Sequence, residues 1–183
     1  MPSYPKPGAV RELYSSEAIA QRVAELGRQI ATDYAGRSPV LVSILKGSFV
    51  FAADLTRAIE LPIRVEFLGV RSYDGGTEST GAVQITQDLT HSIEGEDVLV
   101  VEDIVDTGLT ISYIKNLLKA RGATSVRVVA LLDKPVRRRV EVAVDYVGFM
   151  VGDAFVVGYG LDCGEEYRNL PGLCDLVEKP GLG

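Results

Sequence analysis

Residues 97–112 form the segment of the sequence that most narrows the possible folds. It contains the apolar run of residues 98–101, in which three of the four residues are valine. Such a run is typical of a strand that is buried on both faces of a parallel sheet. Two adjacent carboxylates, Glu102 and Asp103, follow the run directly. We therefore predict an α/β fold in which the carboxyl end of this strand opens into a crevice.

The loop after this strand has the composition of a phosphate-binding loop. A third carboxylate, Asp106, is followed by the small or hydroxyl residues Thr107, Gly108 and Thr110. A helical pattern of apolar residues comes next and ends near Gly122. A helix N-terminus presents unpaired backbone N–H groups and the positive end of the helix dipole. The loop is therefore expected to bind a phosphate group.

This loop is not one of the common nucleotide-binding motifs. The sequence lacks G-x-x-x-x-G-K-[ST], and Leu109 stands where that motif requires a cation. The paired acids Glu102 and Asp103 would repel a phosphate, but they can accept hydrogen bonds from vicinal hydroxyls or hold a hydrated Mg²⁺. The residues themselves therefore indicate a sugar phosphate with free hydroxyls as the ligand.

Length and composition exclude several classes of function. The 183 residues are about one domain's worth of chain. The net charge of −6 argues against a nucleic-acid partner, because binding a phosphate backbone requires a basic face. Cys163 and Cys174 form neither a CxxC motif nor a disulfide framework, so we expect free thiols in the cytoplasm. No apolar run approaches the ~20 residues that span a bilayer, so no membrane partner is predicted.

The rest of the chain alternates between strand-like and helix-like segments. A helix beginning at Ser15 or Ser16 is predicted by its apolar spacing, Ile19, Val23, Leu26 and Ile30. Further strands are predicted at residues 39–45, 63–73, 82–87, 125–132, 146–151 and 155–159, the last two as a pair. Lys46 and Lys134 follow two of these strands, at the end where open α/β sheets bind ligands.

Three polar segments are less specific. Residues 74–81 form a Gly-rich connection longer than a hairpin needs, which favours a mobile lid. His91, the only histidine, is interpreted as a surface residue because nothing near it has the spacing of metal ligands. The arginine run at residues 137–139 is interpreted as a solvated connection.

Four separated motifs resemble one known family. Residues 98–110 match, over thirteen consecutive positions, the 5-phosphoribosyl diphosphate (PRPP) motif of the type I phosphoribosyltransferases, which ends in Asp-Thr-Gly-x-Thr. Residues 155–171 resemble the C-terminal signature of the hypoxanthine-guanine members, in which Phe-Val-Val-Gly-Tyr, Leu-Asp and an aromatic-Arg-[Asn/Asp]-Leu segment recur in this order. Residues 45–48 resemble their pyrophosphate loop, which has a cis peptide before the lysine, and Ser72 and Tyr73 match the Ser-Tyr pair of their lid.

The resemblance implies both a fold and a reaction. The fold is α/β, with a twisted, mainly parallel sheet flanked by helices and a small hood built from the N- and C-terminal segments, all in one domain at residues 1–183. The reaction is a step of purine salvage, in which the 5-phosphoribosyl group of PRPP is transferred to N9 of hypoxanthine or guanine. Its products are IMP or GMP and pyrophosphate. The resemblance also implies Mg²⁺ as cofactor and a homo-oligomer, either a dimer or a tetramer.

On the same resemblance, the acidic strand end and its loop hold PRPP. Asp106 corresponds to the general base that takes the proton from purine N7, and it also belongs to the 5′-phosphate cradle. The rest of that cradle is formed by Thr107, Gly108, Leu109 and Thr110. Glu102 and Asp103 correspond to the acids on the ribose hydroxyls. The pyrophosphate site is matched by three residues, Lys46, Gly47 and Arg168.

The purine site is matched on two later segments. Lys134 corresponds to the lysine on the exocyclic O6, Phe155 to the ring that stacks on the base, and Val156 to a backbone contact with it. An aromatic ring typically contributes ~1–3 kcal/mol when a base stacks on it. Asp162 is assigned both to the purine site and to Mg²⁺, with Glu102 and Asp103 as the other candidate metal ligands.

Two other functions stay open from the sequence. The chain could be a xanthine-preferring or other type I transferase, which would differ in the base that it accepts. It could instead be a regulator that senses PRPP through the same site. Such regulators usually carry an added DNA-binding domain or a basic RNA-binding face, whereas this sequence has a net charge of −6 and retains Asp106. These features favour the enzyme.

Overall fold

The computed structural model describes residues 9–72 and 83–177, which contain a six-stranded sheet, a three-stranded sheet and three α-helices. The first half comprises β1 (Val10–Tyr14), α1 (Ser16–Asp33), β2 (Val40–Leu45), α2 (Phe49–Ala58), β3 (Arg64–Ser72) and β4 (Val83–Gln87). The second half comprises β5 (Asp97–Val105), α3 (Leu109–Ala120), β6 (Ser125–Asp133), β7 (Tyr146–Met150), β8 (Val156–Val157) and β9 (Leu173–Leu176). A single 3-10 turn, Pro135–Arg137, follows β6.

The larger sheet has the strand order β4-β3-β2-β5-β6-β7. All neighbouring strands are parallel except β4, which runs antiparallel to β3 at the edge. From β2 the chain moves outward to β3, and from β5 it moves outward in the other direction. The strand order therefore reverses between β2 and β5, and ligands of open α/β sheets bind at such a reversal. The mainly parallel sheet predicted from the sequence is confirmed.

The central strand β5 is buried on both faces, as its valine-rich sequence predicts. Leu99 and Val101 pack into the core beneath α1 and α2, whereas Val98 and Val100 pack into the core beneath α3. All four side chains are fully buried. This two-sided burial fixes the strand in the middle of the sheet, so that the groups at its carboxyl end stand on a rigid support.

The strand β5 is longer than predicted from the sequence. It continues through the two acids to Val105, because its ladder with β6 extends to the pair Val105↔Asp133. Glu102 and Asp103 therefore lie within the strand rather than after it. The apolar run alone could not show this, since a carboxylate in a sequence is equally compatible with the end of a strand.

The predicted helices are confirmed, and their ends follow from local chemistry. Ser15 caps α1, where its side-chain oxygen accepts the backbone N–H of Ala18 at 3.3 Å. Gly108 precedes α3 with φ of +84°, and a Cβ there would lie 2.5 Å from the carbonyl oxygen of Val140. Both the backbone conformation and the close contact therefore require glycine at the start of this helix.

The smaller sheet has the composition expected for the hood, because its strands come from the N- and C-terminal segments. Its order is β1-β9-β8, with antiparallel pairs, so it joins the beginning and the end of the described chain. The predicted pairing of residues 146–151 with residues 155–159 is wrong. Strand β7 extends the larger sheet beside β6, while β8 pairs with β9. Both segments are apolar, and composition does not specify the partner of a strand.

Two strands of the hood, β1 and β9, were not predicted from the sequence. β1 has no alternating burial, and only four residues belong to β9. Ser72 ends β3, while Tyr73 and the proposed lid at residues 74–81 lie outside the described residues. The single-domain assignment for residues 1–183 stays a prediction. Within the described parts of the chain, no helix has both the length and the apolar character needed to cross a membrane.

Candidate active site

Two cavities open at the carboxyl ends of the central strands. The larger cavity has a volume of about 520 Å³ and lies between the β2 loop and the C-terminal segment. The smaller cavity, of about 230 Å³, lies between β5, the end of β6 and β8. Asp103 and Asp162 line both cavities. The two cavities are therefore adjacent compartments that share an acidic wall.

The two acids near the carboxyl end of β5 lie in surroundings that disfavour their charged forms. Burial, followed by the charge of Asp103, raises the pKa of Glu102 well above its ordinary value. The Glu102 Oε2 atom is buried without a hydrogen-bond partner. Burial likewise raises the pKa of Asp103 to about 6, although the backbone N–H of Ile104 donates to its carboxylate at 2.7 Å. The unpartnered oxygen of Glu102 can accept a hydroxyl donor, and a cation near the two acids would stabilise their charged forms.

The loop that follows β2 packs directly against Asp103. The peptide bond between Leu45 and Lys46 is cis, as the resemblance implies. The next residue, Gly47, lies so near Asp103 that no side chain could stand between them. Ser48 anchors the loop from below, since its hydroxyl donates to the carbonyl oxygen of Ile44 at 2.6 Å. The loop and the acidic wall thus form one packed unit.

Arg168 is the central cation of the larger cavity. One guanidinium nitrogen, Nη1, donates to the carbonyl oxygen of Gly160 at 2.8 Å, and Nη2 lies 2.8 Å from Asp162 Oδ1. Its Nε atom is buried without a hydrogen-bond partner. A Cβ at Gly160 would lie 2.3 Å from the carbonyl oxygen of Gly47, so the C-terminal segment also packs on the β2 loop. This contact holds Arg168 next to Asp162 at the cavity wall.

The phosphate loop predicted at residues 107–110 is braced from outside. The carbonyl oxygen of Thr107 accepts the backbone N–H groups of Arg139 at 2.9 Å and Val140 at 3.1 Å. The hydroxyl of Thr107 also accepts the N–H of Leu109, at 3.4 Å. Thr110 lies in the first turn of α3. The loop is therefore fixed at a helix N-terminus, in the geometry that favours an anion.

The smaller cavity brings together the residues predicted to bind the purine. Asp106, Lys134, Phe155 and Val156 all line it. Lys134 is only 5% exposed, and its ammonium group donates to the carbonyl oxygen of Ala154. Phe155 is 41% exposed, so it is not an ordinary core phenylalanine. An exposed aromatic ring and a buried lysine thus face one compartment beside the candidate base.

The prediction for His91 is confirmed, whereas the prediction for residues 137–139 is wrong in part. His91 lies at the surface as predicted, with its side chain 65% exposed, although its Nδ1 atom is 2.6 Å from the buried Glu66. The interpretation of residues 137–139 as a solvated connection is wrong for Arg138. This side chain is 15% exposed and forms an ion pair with Asp133. The pairing requires the register at the end of β6, which a run of arginines does not reveal.

Several residues of the site were missed from the sequence. Arg137 lines the smaller cavity, and its Nε atom lies 3.4 Å from Asp106 Oδ1. The larger cavity has polar side chains from β3 and β4 and one from the C-terminal segment, Arg71, Thr86, Gln87 and Glu165. The available signal for the β3 and β4 residues was their position at strand ends near the predicted lid. Glu165 had no signal, because its contact with Lys46 joins segments that are 119 positions apart in the sequence.

The residues that could hold Mg²⁺ are the two shared carboxylates. Among residues 9–72 and 83–177, no three His, Cys, Asp or Glu side chains converge on a metal-binding geometry. Mg²⁺, however, commonly uses only one or two protein carboxylates together with substrate oxygens and water. The charge of Asp162 contributes to raising the pKa of Asp103, which places like charges close together. A divalent cation would compensate that charge, so this donor set fits Mg²⁺.

Comparisons with known proteins all indicate the same family. The sequence model described as phosphoribosyl transferase domain matches residues 9–163. The hypoxanthine-guanine phosphoribosyltransferase of Streptococcus mutans is 48% identical over 159 residues, which are 87% of this chain and 88% of that protein. The bifunctional protein TilS/HprT of Listeria monocytogenes is 50% identical over 159 residues, 87% of this chain. The chain spans only 24% of the length of that relative.

A solved structure has the same architecture. The crystal structure of a hypoxanthine phosphoribosyltransferase from Staphylococcus aureus superimposes with a TM-score of 0.88 at 49% sequence identity. The match covers 91% of this chain and 90% of that chain. The fold and the sequence therefore identify the same family.

Proposed function

The chain belongs to the phosphoribosyl transferase domain family, and from this premise we propose that it transfers the 5-phosphoribosyl group of PRPP to N9 of hypoxanthine or guanine. The products are IMP or GMP and pyrophosphate. One observation carries the proposal: a compartment with a buried lysine and an exposed aromatic ring adjoins a compartment with Lys46 and Arg168. The acids Asp103 and Asp162 stand between them, where the sugar would lie.

In this proposal PRPP binds across both compartments. The 5′-phosphate binds at the N-terminus of α3, where residues 107–110 offer backbone N–H groups and hydroxyls. The ribose hydroxyls donate to Glu102 and Asp103, whose pKa values are raised chiefly by burial, so that hydroxyl donors would stabilise their charged forms. The pyrophosphate group lies in the larger cavity near Lys46 and Arg168. The guanidinium of Arg168 is suited to phosphate oxygens because its donors form a planar fork.

The purine binds in the smaller cavity. Its ring stacks on Phe155, and Lys134 donates to the exocyclic O6. Asp106 lies in the same cavity and accepts the proton from N7 as N9 attacks the ribose. The Asp106 Oδ1 atom is buried and makes no hydrogen bond within the described residues, although the Nε atom of Arg137 lies 3.4 Å from it. These three contacts orient the base before reaction.

The charges of the site match the charge changes of the reaction. Departure of pyrophosphate builds positive charge at ribose C1′, and the carboxylates of Asp103 and Asp106 on the wall of the smaller cavity stabilise it. Lys46 and Arg168 compensate the negative charge of the leaving group in the larger cavity. Each half of the transition state therefore faces the opposite charge on the protein.

We assign the Mg²⁺ site to Asp103 and Asp162, with Glu102 as a further carboxylate beside them. When bound, Mg²⁺ supplies positive charge to the pyrophosphate oxygens. The chain contributes two carboxylates on the wall that both cavities share. The lid assignment for Ser72 and Tyr73 stays a prediction of the family resemblance.

We further propose that the chain works as a homo-oligomer in the cytoplasm. The exposed large apolar residues of the described chain include Phe49 at 46%, Val65 at 38% and Phe67 at 41% exposure. Val65 and Phe67 lie on the same side of the sheet as α2, because their neighbours on β2 are Leu41 and Ser43 and Leu41 packs in the core with α2. A second copy of the chain would bury Val65 and Phe67. Both cysteines are free, in agreement with a reducing compartment.

The proposal is tested by product analysis with the purified chain. PRPP, hypoxanthine and Mg²⁺ are mixed, and IMP and pyrophosphate are quantified over time. We expect the two products in equal amounts and no turnover in excess EDTA. Pyrophosphate without IMP, or full turnover in EDTA, would contradict the proposed reaction or its metal requirement. A chain that binds PRPP without turning it over would support the regulator instead.

A further inference from the structure

The carboxylate of Glu165 forms ion pairs with two cations of the larger cavity, Lys46 and Arg168. The ammonium group of Lys46 lies 3.2 Å and 3.1 Å from the two carboxylate oxygens of Glu165. The Nη2 atom of Arg168 lies 3.3 Å from Glu165 Oε2. All three side chains line the cavity of about 520 Å³. Glu165 thus makes the contacts that the proposed function assigns to pyrophosphate oxygens.

We propose that Glu165 is an internal competitor of the pyrophosphate group. Its carboxylate pairs with Lys46 and Arg168 until the pyrophosphate of PRPP, or free pyrophosphate, replaces it on the same two cations. This inference rests on the proposed function, because it takes the larger cavity as the pyrophosphate site. It assigns to Glu165 a role in setting the affinity for substrate and product, without direct participation in the reaction.

The burial of the groups indicates which ion pair gives way. The side chains of Lys46 and Glu165 are 68% and 65% exposed, whereas those of Arg168 and Asp162 are 19% and 29% exposed. Exposed ion pairs contribute little to stability because water screens them. The pairs made by Glu165 are therefore easily replaced, while the shorter contact between Arg168 and Asp162 persists.

The backbone of Glu165 is fixed although its side chain is exposed. Its N–H group donates to Asp162 Oδ2 at 2.9 Å, and its φ is +69°, in the left-handed region. A side chain on a fixed backbone stays close to the cations after it has been displaced. The Glu165 carboxylate can then return to them when pyrophosphate leaves, which favours release of the product. Product release limits the turnover of many enzymes, so such a group would matter to the rate.

A different role for Glu165 predicts the opposite change in the affinity for pyrophosphate. If its carboxylate only held Lys46 and Arg168 in place for the ligand, removing its charge would disorder the two cations and weaken pyrophosphate binding. If it competes with the ligand, removing its charge strengthens binding. The direction of the change in affinity therefore separates the two roles.

The test compares Glu165→Gln with Glu166→Gln by calorimetric titration with pyrophosphate in Mg²⁺ and with PRPP in Mg²⁺. Glu166 is the neighbouring exposed carboxylate and lines neither cavity, so its replacement makes the same change in net charge. We expect Glu165→Gln to bind both ligands about threefold to tenfold more tightly than wild type, and Glu166→Gln to bind as wild type does. Unchanged or weaker binding by Glu165→Gln would overturn the inference, as would equal tightening by Glu166→Gln.

A third variant, Arg168→Gln, separates failure of this inference from failure of the proposed function. Loss of pyrophosphate binding in Arg168→Gln, together with unchanged binding in Glu165→Gln, would overturn only the role of Glu165. If wild type failed to bind pyrophosphate, or if Arg168→Gln bound it normally, the assignment of the larger cavity would be wrong and the inference would fall with it.

Discussion

Gly47 lies against the carboxylate of Asp103, and a Cβ at position 47 would stand 1.6 Å from Asp103 Oδ2. Such a distance is less than half of an ordinary contact between nonbonded atoms. The loop after β2 and the acid on β5 can approach this closely only because residue 47 has no side chain. The proposed pyrophosphate and ribose sites can therefore be adjacent only because position 47 is a glycine.

Gly47→Ala is expected to displace the β2 loop, the Asp103 carboxylate or both. Since a misplacement of about 1 Å can cost roughly 10²-fold in rate, we expect kcat/KM for PRPP to fall by about 10- to 100-fold. The control is Gly152→Ala, because a Cβ at position 152 meets no atom within 4 Å. Steady-state kinetics of both variants check this. Equal activity of Gly47→Ala and Gly152→Ala would contradict the packing described here.

Asp106→Asn is expected to slow the chemical step while PRPP still binds. General-base catalysis typically contributes ~10²- to 10⁴-fold, and an amide keeps the shape of the carboxylate but cannot take the proton. The measurement is a single-turnover rate, since product release can hide a slower chemical step. Glu141→Gln, which removes an exposed carboxylate outside both cavities, should react as wild type does. A wild-type single-turnover rate in Asp106→Asn would show that another group is the base.

Lys134→Met is expected to reduce discrimination between bases. An ammonium group has three donors and no acceptor, so it pairs with an exocyclic oxygen but not with the amino group of adenine. We expect kcat/KM for hypoxanthine and guanine to fall by about 10²-fold or more, with little change for adenine. Lys119→Met, an exposed lysine on α3, serves as the control. If Lys134→Met kept the base preference of the wild type, the lysine would have only a structural role.

The central part of the site could be predicted from sequence because its chemistry is local. The acids of β5, the glycine before α3 and the helix that follows are consecutive in the chain, so their spacing alone indicates a phosphate and sugar site. Lys46 and Lys134 could be placed because each directly follows an apolar strand. Their positions at the two cavities agree with that expectation.

Contacts between distant segments could not be predicted in this way. The pairing of β8 with β9 depends on where the chain goes after residue 157, and both β7 and β8 have apolar sequences. Glu165 meets Lys46 across 119 positions of sequence, and Arg138 meets Asp133 only because the turn after β6 brings them together. Such pairs are set by tertiary packing, which a pattern of residue types does not encode.

The buried carboxylate of Glu66 predicts a pH dependence of stability. Burial raises its pKa, but hydrogen bonds from the backbone N–H of Thr90 and from His91 outweigh burial, and the pKa is lowered from 4.5. A carboxyl group with a lowered pKa in the folded state contributes stability above its unfolded pKa. That stability is lost as the pH falls through the folded pKa.

Glu66→Gln is therefore expected to lower the free energy of unfolding by about 1–3 kcal/mol at pH 7. The difference from wild type should shrink as the pH falls below the ordinary value of 4.5. Urea unfolding at a series of pH values checks this, with Glu141→Gln as the exposed control. A difference that stayed constant down to acid pH would mean that the charge of Glu66 does not stabilise the fold.

The most direct test of the proposed reaction is which bases the purified chain accepts. The measurement is PRPP-dependent turnover in Mg²⁺ for hypoxanthine, guanine, xanthine, adenine and uracil side by side. We predict turnover of hypoxanthine and guanine, with adenine and uracil lower by about 10⁴-fold or more. A preference for xanthine would assign the chain to another member of the family. Equal use of adenine and guanine, or no PRPP-dependent turnover of any base, would contradict the proposed function.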